Sequence, residues 1–176
     1  MTDYLKLAQD VVKQAAARGV EAEAFIMDEQ ETTIQLGNGE IEKLAQAGSK
    51  GMGVRVIDGG RVGYAYTSDF SPESIATTWQ TAIELAAVAS ADDFRRLPEP
   101  QDIPDEDLEI YDAALPDVTP QPKIDLAKRV TQAGLDHDER ITMVPMTQYQ
   151  DTITHVYLAN SKGFAGAYDR TAVFCF

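Results

Sequence analysis

The spacing of hydrophobic side chains changes twice within the first 90 residues, and this constrains the fold more than any other feature of the sequence. Between residues 3 and 18, apolar side chains return every three or four positions, which predicts a helix. From Ala22 to Tyr66 they alternate with other residues in short runs, and Gly37-Asn38-Gly39 supplies a turn signal. Ser49-Lys50-Gly51 precedes the third predicted strand, and Asp58-Gly59-Gly60 closes it. Helical spacing resumes after Ser71. The pattern predicts an antiparallel four-stranded sheet flanked by two helices, which is an α+β fold.

A similar pattern restarts after residue 122. Pro122 to Leu135 predicts a third helix, and Ile141–Tyr149 and Thr152–Ala159 predict two more strands. Thr171–Phe176 is again apolar and strand-like. We therefore expect a second α+β unit over residues 123–176, made of a helix and antiparallel strands. Because it stops within a strand pattern, we expect this unit to be incomplete and the chain to be a fragment of a longer protein.

An acidic, proline-rich stretch separates the two patterns. Residues 91–122 hold ten acidic and two basic side chains, a charge of −8 out of −14 for the whole chain, and six of its eight prolines. Proline and mutual repulsion between like charges both favour an extended chain. The sequence predicts an N-terminal domain over residues 1–90, a linker over 91–122 and the start of a second domain over 123–176.

Composition excludes several classes of protein. A net charge of −14 repels nucleic acid, so no direct nucleic-acid partner is expected. A single cysteine excludes both a disulfide framework and a cysteine-based zinc module. No apolar run reaches the roughly 18 residues of a membrane span, and the first residues do not form a secretory signal. We expect a cytoplasmic protein with no membrane partner.

The sequence contains no familiar catalytic motif, and neither a catalytic residue nor a metal ligand is assigned. It lacks a P-loop, a nucleophile elbow and an H-E-x-x-H zinc motif. Of its two histidines, His137 follows a predicted helix, where a solvated side chain is typical, and His155 is a lone imidazole on a predicted strand, whereas a zinc site needs three or four ligands. Cys175 lies in an apolar run, which is typical of a buried thiol.

One group of residues is a candidate for peptide binding. Tyr64, Tyr66, Thr67, Ser68 and Asp69 bring a predicted strand to its end just before the first turn of a helix. Donors at such a position, with the positive end of the helix dipole, suit a peptide carbonyl or carboxylate. The alternative is structural: Asp69 or Ser71 caps the helix and the two tyrosines pack.

Three segments together resemble the TldD/PmbA family. NGEIE begins at Asn38, GMGVRVIDGGRVGYAYTSDFSPESI begins at Gly51 and LANSKGFAGAYDRT begins at Leu158. The first two are similar to the N-terminal domain of that family, and the third to the start of its second domain. The stretch TSDFSPE is more similar to the PmbA (TldE) type than to the TldD type.

The resemblance implies a cytoplasmic zinc metallopeptidase, a hydrolase that acts in proteolysis on unfolded or small peptides. Members have also been linked to modulation of DNA gyrase. Catalytic members bind zinc through H-E-x-x-x-H, which is absent from this chain, so no cofactor is expected in this fragment. The PmbA type lacks that motif and pairs with a TldD-type subunit, which implies a homo- or heterodimer.

Three functions follow as hypotheses. In the first, the chain is the non-catalytic N-terminal portion of such a subunit, and it contributes a peptide-cavity wall and subunit contacts. The second is a non-catalytic regulatory or protein-binding module, similar to a gyrase modulator, whose acidic linker imitates nucleic-acid charge. A structural assembly domain is a third reading of the same sequence.

Overall fold

The computed structural model describes residues 2–99 and 106–176. Its helices and strands follow one another in the order that the sequence predicts, which confirms the α+β class. In chain order they are α1 (Tyr4–Ala16), β1 (Glu21–Gly37), β2 (Glu40–Asp58), β3 (Arg61–Thr67), α2 (Pro72–Val88), α3 (Pro120–Asp136), β4 (Thr147–Asn160) and β5 (Ala165–Cys175). A short 3₁₀ turn, Leu115–Asp117, precedes α3.

The predicted strand count needs correction. The described strands form one five-stranded antiparallel sheet in the order β3-β2-β1-β4-β5, whereas the sequence predicts four strands before residue 90 and further strands after residue 122. The two runs on either side of Ser49-Lys50-Gly51 belong to one strand, β2, and β4 likewise joins two predicted strands. Gly51 stays extended, whereas Gly39 and Gly60 adopt positive φ and make the turns.

Local capping explains where two helices begin. The carboxylate of Asp3 accepts the main-chain N–H of Lys6 at 2.9 Å, and the hydroxyl of Ser71 accepts that of Ser74 at 3.3 Å. Pro72 occupies the first turn of α2, where its missing N–H costs nothing. Beyond α1, Gly19 turns the chain with a φ of 85°.

The described chain forms two compact units. Among the described residues, unit 1 comprises residues 2–28, 50–99, 106 and 155–168, and unit 2 comprises residues 29–49, 107–154 and 169–176. The long strands β1, β2, β4 and β5 each supply residues to both units. The proposed linker over 91–122 stays a prediction, and its Pro100 and Pro104 lie outside the described residues.

Each unit has its own hydrophobic core. In unit 1, α1 and α2 pack on one face of the sheet, where the buried residues include Val11, Ile26, Met52, Val54 and Trp79. In unit 2, α3 packs on strands, where the buried residues are Ile34, Leu36, Ile124, Ala127 and Tyr149. Burial of these apolar side chains is the main favourable term in the folding of each unit.

No helix in residues 2–99 and 106–176 is both long and apolar enough to cross a membrane.

Candidate peptide-binding edge

Strand β3 forms one end of the sheet. It pairs antiparallel with β2, so that Tyr64 lies opposite Arg55 and Tyr66 lies opposite Gly53. Within the described part of the chain, no strand pairs with the second edge of β3. An edge strand of this kind presents backbone N–H and C=O groups that an extended peptide can pair with.

Two tyrosines stand beside this edge. The side chains of Tyr64 and Tyr66 are 56% and 79% exposed, and their ring centroids are 6.4 Å apart with the planes inclined by 31°. Gly53 makes room for this pair, because a Cβ atom there would meet the ring of Tyr64. Exposed aromatic rings in contact with each other form an apolar surface with polar tips, which suits peptide side chains.

The opposite face of β3 is fixed against helix α2. Gly63 is buried, and a Cβ atom at this position would overlap the carbonyl oxygen of Ala82. Because glycine lacks a Cβ atom, β3 approaches the backbone of α2 more closely at Gly63 than it could with any other residue at this position. This contact leaves the tyrosine face as the open face of β3.

The remaining three predicted residues lie at the turn into α2. The Oγ1 atom of Thr67 accepts the N–H of Asp69 at 3.0 Å and lies 2.8 Å from the hydroxyl oxygen of Ser74. The Asp69 carboxylate accepts both the N–H and the O–H of Ser71, each at 2.9 Å. Thr67 and Asp69 thus form hydrogen bonds within the turn into α2, whose N-cap is Ser71, while Ser68 is exposed. A role of these residues in peptide binding stays a prediction.

Sequence reasoning missed a charged pair on neighbouring strands. Arg55, which lies opposite Tyr64, places its Nη2 2.9 Å from Oε1 of Glu23 on β1. The Nε atom of Arg55 is buried and has no hydrogen-bond partner among the described residues. The alternation of side chains along β2 predicts on which face of the sheet Arg55 lies. Only the pairing of β1 with β2 brings Glu23 next to Arg55.

The described residues do not fit a zinc site. No group of three or more His, Cys, Asp or Glu side chains that could hold a metal ion occurs in residues 2–99 and 106–176. Burial raises the pKa of the Cys175 thiol, which disfavours the thiolate that a metal binds. We therefore derive no metal-dependent step from these residues.

Two family models match the chain. The model of PmbA/TldA metallopeptidase domain 1 matches residues 22–86, and that of the PmbA/TldA metallopeptidase central domain matches residues 113–176. The chain belongs to the PmbA/TldD metallopeptidase family. This confirms the resemblance that the sequence segments carried.

Curated members of the PmbA/TldD family are similar in sequence. Metalloprotease PmbA of Escherichia coli O157:H7 is 31% identical over 137 residues, which is 76% of this chain and 30% of that protein. The metalloprotease PmbA homolog of Haemophilus influenzae (strain ATCC 51907 / DSM 11121 / KW20 / Rd) is 31% identical over 134 residues, or 74% and 29%. The matched region thus spans less than a third of either relative.

Solved structures share the fold. A candidate modulator of DNA gyrase from Bacteroides thetaiotaomicron superposes with a TM-score of 0.86 and 28% identity, over 98% of this chain and 40% of that one. TldE from Thermococcus kodakarensis has a TM-score of 0.76 and 17% identity, over 95% and 37%. At that identity, the TldE comparison supports the fold alone.

Proposed function

We propose that this chain is the non-catalytic N-terminal portion of a PmbA/TldD metallopeptidase subunit that acts on unfolded or small peptides in the cytoplasm. It contributes a wall of the peptide cavity and contacts to a second PmbA/TldD-type subunit. Hydrolysis and the zinc ion then belong to parts of the longer protein outside residues 1–176. The relatives named metalloprotease support this assignment, and they exceed the matched region about threefold in length.

The observation that carries the peptide-binding part is the free edge of β3 beside the exposed tyrosine pair. Backbone pairing at an edge tolerates any peptide sequence, because the bonds go to N–H and C=O groups common to every residue. Tyr64 and Tyr66 would add apolar contact with the peptide side chains on one face. An unfolded peptide supplies both kinds of partner.

Fluorescence anisotropy with a labelled unstructured peptide tests this proposal. The double variant Tyr64→Ser/Tyr66→Ser should bind about tenfold more weakly, since two aromatic contacts are lost. Tyr168→Ser is the matched control, because Tyr168 is also half-exposed and belongs to unit 1. Equal loss in the control would contradict the assignment of the site to β3.

A second peptide separates backbone pairing from simple hydrophobic contact. N-methylation of alternate peptide residues removes the N–H donors on one edge and leaves the side chains in place. We expect that peptide to bind far more weakly than the unmodified one. Equal affinity for the two peptides would count against strand addition and leave only an apolar surface.

A further inference from the structure

A cavity of about 450 Å³ lies against α1 and the start of α2 in unit 1. Its volume is typical of sites that bind a small ligand. The residues that α1 contributes recur every three or four positions, so they share one face of the helix. They are Tyr4, Leu7, Asp10, Val11 and Gln14. Because the cavity also includes the side chain of Lys50, it combines both charges with an apolar lining.

The ammonium group of Lys50 is held beside the first residue of α1. It donates a hydrogen bond of 2.8 Å to the hydroxyl of Tyr4 and lies 5.2 Å and 5.0 Å from the ring centroids of Tyr4 and Phe70. Tyr4 in turn packs against the rings of Phe70 and Tyr157, each with its centroid 5.6 Å away. The hydrogen bond to Tyr4 raises the pKa of Lys50. An ammonium group has three donors, and Tyr4 uses one, so this fixed cation can also donate to a ligand.

A carboxylate lines the cavity further along α1. Asp10 follows Tyr4 by six residues, which corresponds to about 9 Å along the helix axis. Asp10 lies 3.7 Å from the ammonium nitrogen of Lys6, but both side chains are more than half exposed, and such an ion pair contributes little. The Asp10 carboxylate can therefore accept hydrogen bonds from a cationic group of a ligand. The two charges of the cavity complement a ligand that carries an anion at one end and a cation at the other.

The remainder of the lining is mainly apolar. Leu7 lies between Tyr4 and Asp10 on α1, and the start of α2 adds Phe70 and Ile75. An extended peptide of about three residues spans about 10 Å, so its two charged termini match the spacing of the two charges along α1. Its middle side chain would then contact the apolar lining. A single amino acid is too short to reach both charges.

We propose that this cavity binds a short peptide with free termini, whose carboxylate contacts Lys50 and whose ammonium group contacts Asp10. The cavity is distinct from the edge of β3, because Tyr64 and Tyr66 lie on the face of β3 that is turned away from α2, whereas α1 and α2 pack on the other face of the sheet. Backbone pairing at the β3 edge accepts an extended chain of any length. The cavity selects a short peptide by both of its ends.

An NMR titration of the ¹⁵N-labelled chain with the tripeptide alanyl-leucyl-alanine tests the proposal. The amide signals of residues 4–14 and 70–76 should shift and reach saturation. Amidation of the peptide carboxylate should weaken binding about fivefold, because it removes the charge that contacts Lys50. Acetylation of the peptide amine should have an effect of similar size through Asp10. An aspartate in place of the leucine should also weaken binding, since it would meet the apolar lining.

Variants of the two charged residues assign each terminus. Lys50→Met should bind the tripeptide about fivefold more weakly and should no longer distinguish the free acid from the amide. Asp10→Asn should likewise no longer distinguish the free amine from the acetylated peptide. Lys13→Met is the matched control, because Lys13 is exposed on α1 and does not line the cavity. Since Lys50 and Asp10 are also exposed, these variants should keep the fold, and unchanged signals elsewhere in the spectrum check this.

Three results would overturn the proposal. It fails if the tripeptide causes no saturable shifts, if the unmodified chain binds the free acid and the amide equally well, or if Lys50→Met and Lys13→Met behave alike. The β3 edge is measured separately: the Tyr64→Ser/Tyr66→Ser variant should bind the tripeptide normally, and Lys50→Met should still bind the labelled unstructured peptide. Failure of one proposal is thus distinguishable from failure of the other.

Discussion

The ammonium nitrogen of Lys123 lies 2.5 Å from Oδ2 of Asp151, and the two side chains are only 6% and 2% exposed. The hydroxyl of Tyr149 donates a hydrogen bond of 2.7 Å to the same oxygen. This buried group joins the first turn of α3 to β4 beside the hydrophobic core of unit 2. Since a charge buried without a partner is strongly unfavourable, each member of the pair depends on the other.

Removal of one charge should destabilise the protein more than removal of both. Lys123→Met should lower the free energy of unfolding by about 3–5 kcal/mol, because Asp151 stays buried without its counter-ion. Adding Asp151→Leu should recover much of that loss. Urea unfolding of the single and double variants, followed by circular dichroism, measures the coupling.

Lys128→Met is the control for this pair. Lys128 is exposed on the same helix, so its replacement should change the free energy of unfolding by no more than about 0.5 kcal/mol. A double variant as unstable as Lys123→Met alone would show that the two charges are not coupled.

Tyr149 should make stability depend on alkaline pH. Burial, together with the hydrogen bond to Asp151, raises the pKa of this phenol above its ordinary value of about 10. The unfolded chain therefore loses the proton at a pH where the folded chain keeps it. This contribution is complete below about pH 10 and is lost as the pH rises further.

We expect the free energy of unfolding to fall less steeply above pH 10 in Tyr149→Phe than in the unmodified chain. Tyr111→Phe, at an exposed tyrosine of the same unit, should keep the original slope. Urea unfolding at a series of alkaline pH values gives the slopes. Identical slopes for the three proteins would contradict a role for the buried phenol.

The sequence predicted those parts of the fold that depend on residues close together along the chain. The starts of α1 and α2 follow from Asp3 and Ser71, whose side chains cap the helix that comes next. The strand count was wrong because Ser49-Lys50-Gly51 has the composition of a turn and yet stays extended. Serine and glycine permit both a turn and an extended conformation, and pairing with distant strands decides between the two.

In the candidate site too, the local sequence predicts some features, while others depend on contacts between distant segments. Alternation along β3 predicts that Tyr64 and Tyr66 share a face, and the polar residues before α2 predict a cap at Asp69 or Ser71, of which the structure has Ser71. The ion pair between Arg55 and Glu23 depends on strand register, which the local sequence does not contain. For the same reason, Lys123 could not be predicted as buried, because its partner Asp151 comes from another element.

Gly63→Ala should destabilise unit 1. The added methyl group would overlap the carbonyl oxygen of Ala82, so β3 and α2 would have to move apart, at a cost of about 3 kcal/mol. Gly51→Ala is the matched control, because its methyl group would lie 3.6 Å from the nearest atom, the carbonyl oxygen of Thr67. Thermal unfolding compares the two variants, and equal stabilities would contradict the close approach of β3 to α2.

Glu21 should make stability depend on acidic pH. Its carboxylate accepts the N–H of Leu97 at 3.1 Å and lies 3.0 Å from the ammonium nitrogen of Lys162. The hydrogen bond from Leu97, followed by the interaction with Lys162, lowers the pKa of Glu21. The unfolded chain then takes up a proton at a higher pH than the folded chain does. This contribution is present above the unfolded pKa of about 4.5 and is lost as the pH falls through the folded value.

Glu21→Gln keeps an oxygen acceptor for Leu97 and removes the titrating charge, so its stability should fall less between about pH 5 and pH 3 than that of the unmodified chain. Glu99→Gln is the matched control, because Glu99 also binds Lys162 but is largely exposed, and an exposed ion pair contributes little. Urea midpoints across this range give the comparison. If Glu99→Gln flattened the acid dependence as much as Glu21→Gln, the effect would come from the charge of Lys162, and the anchoring of Leu97 by Glu21 would not contribute to it.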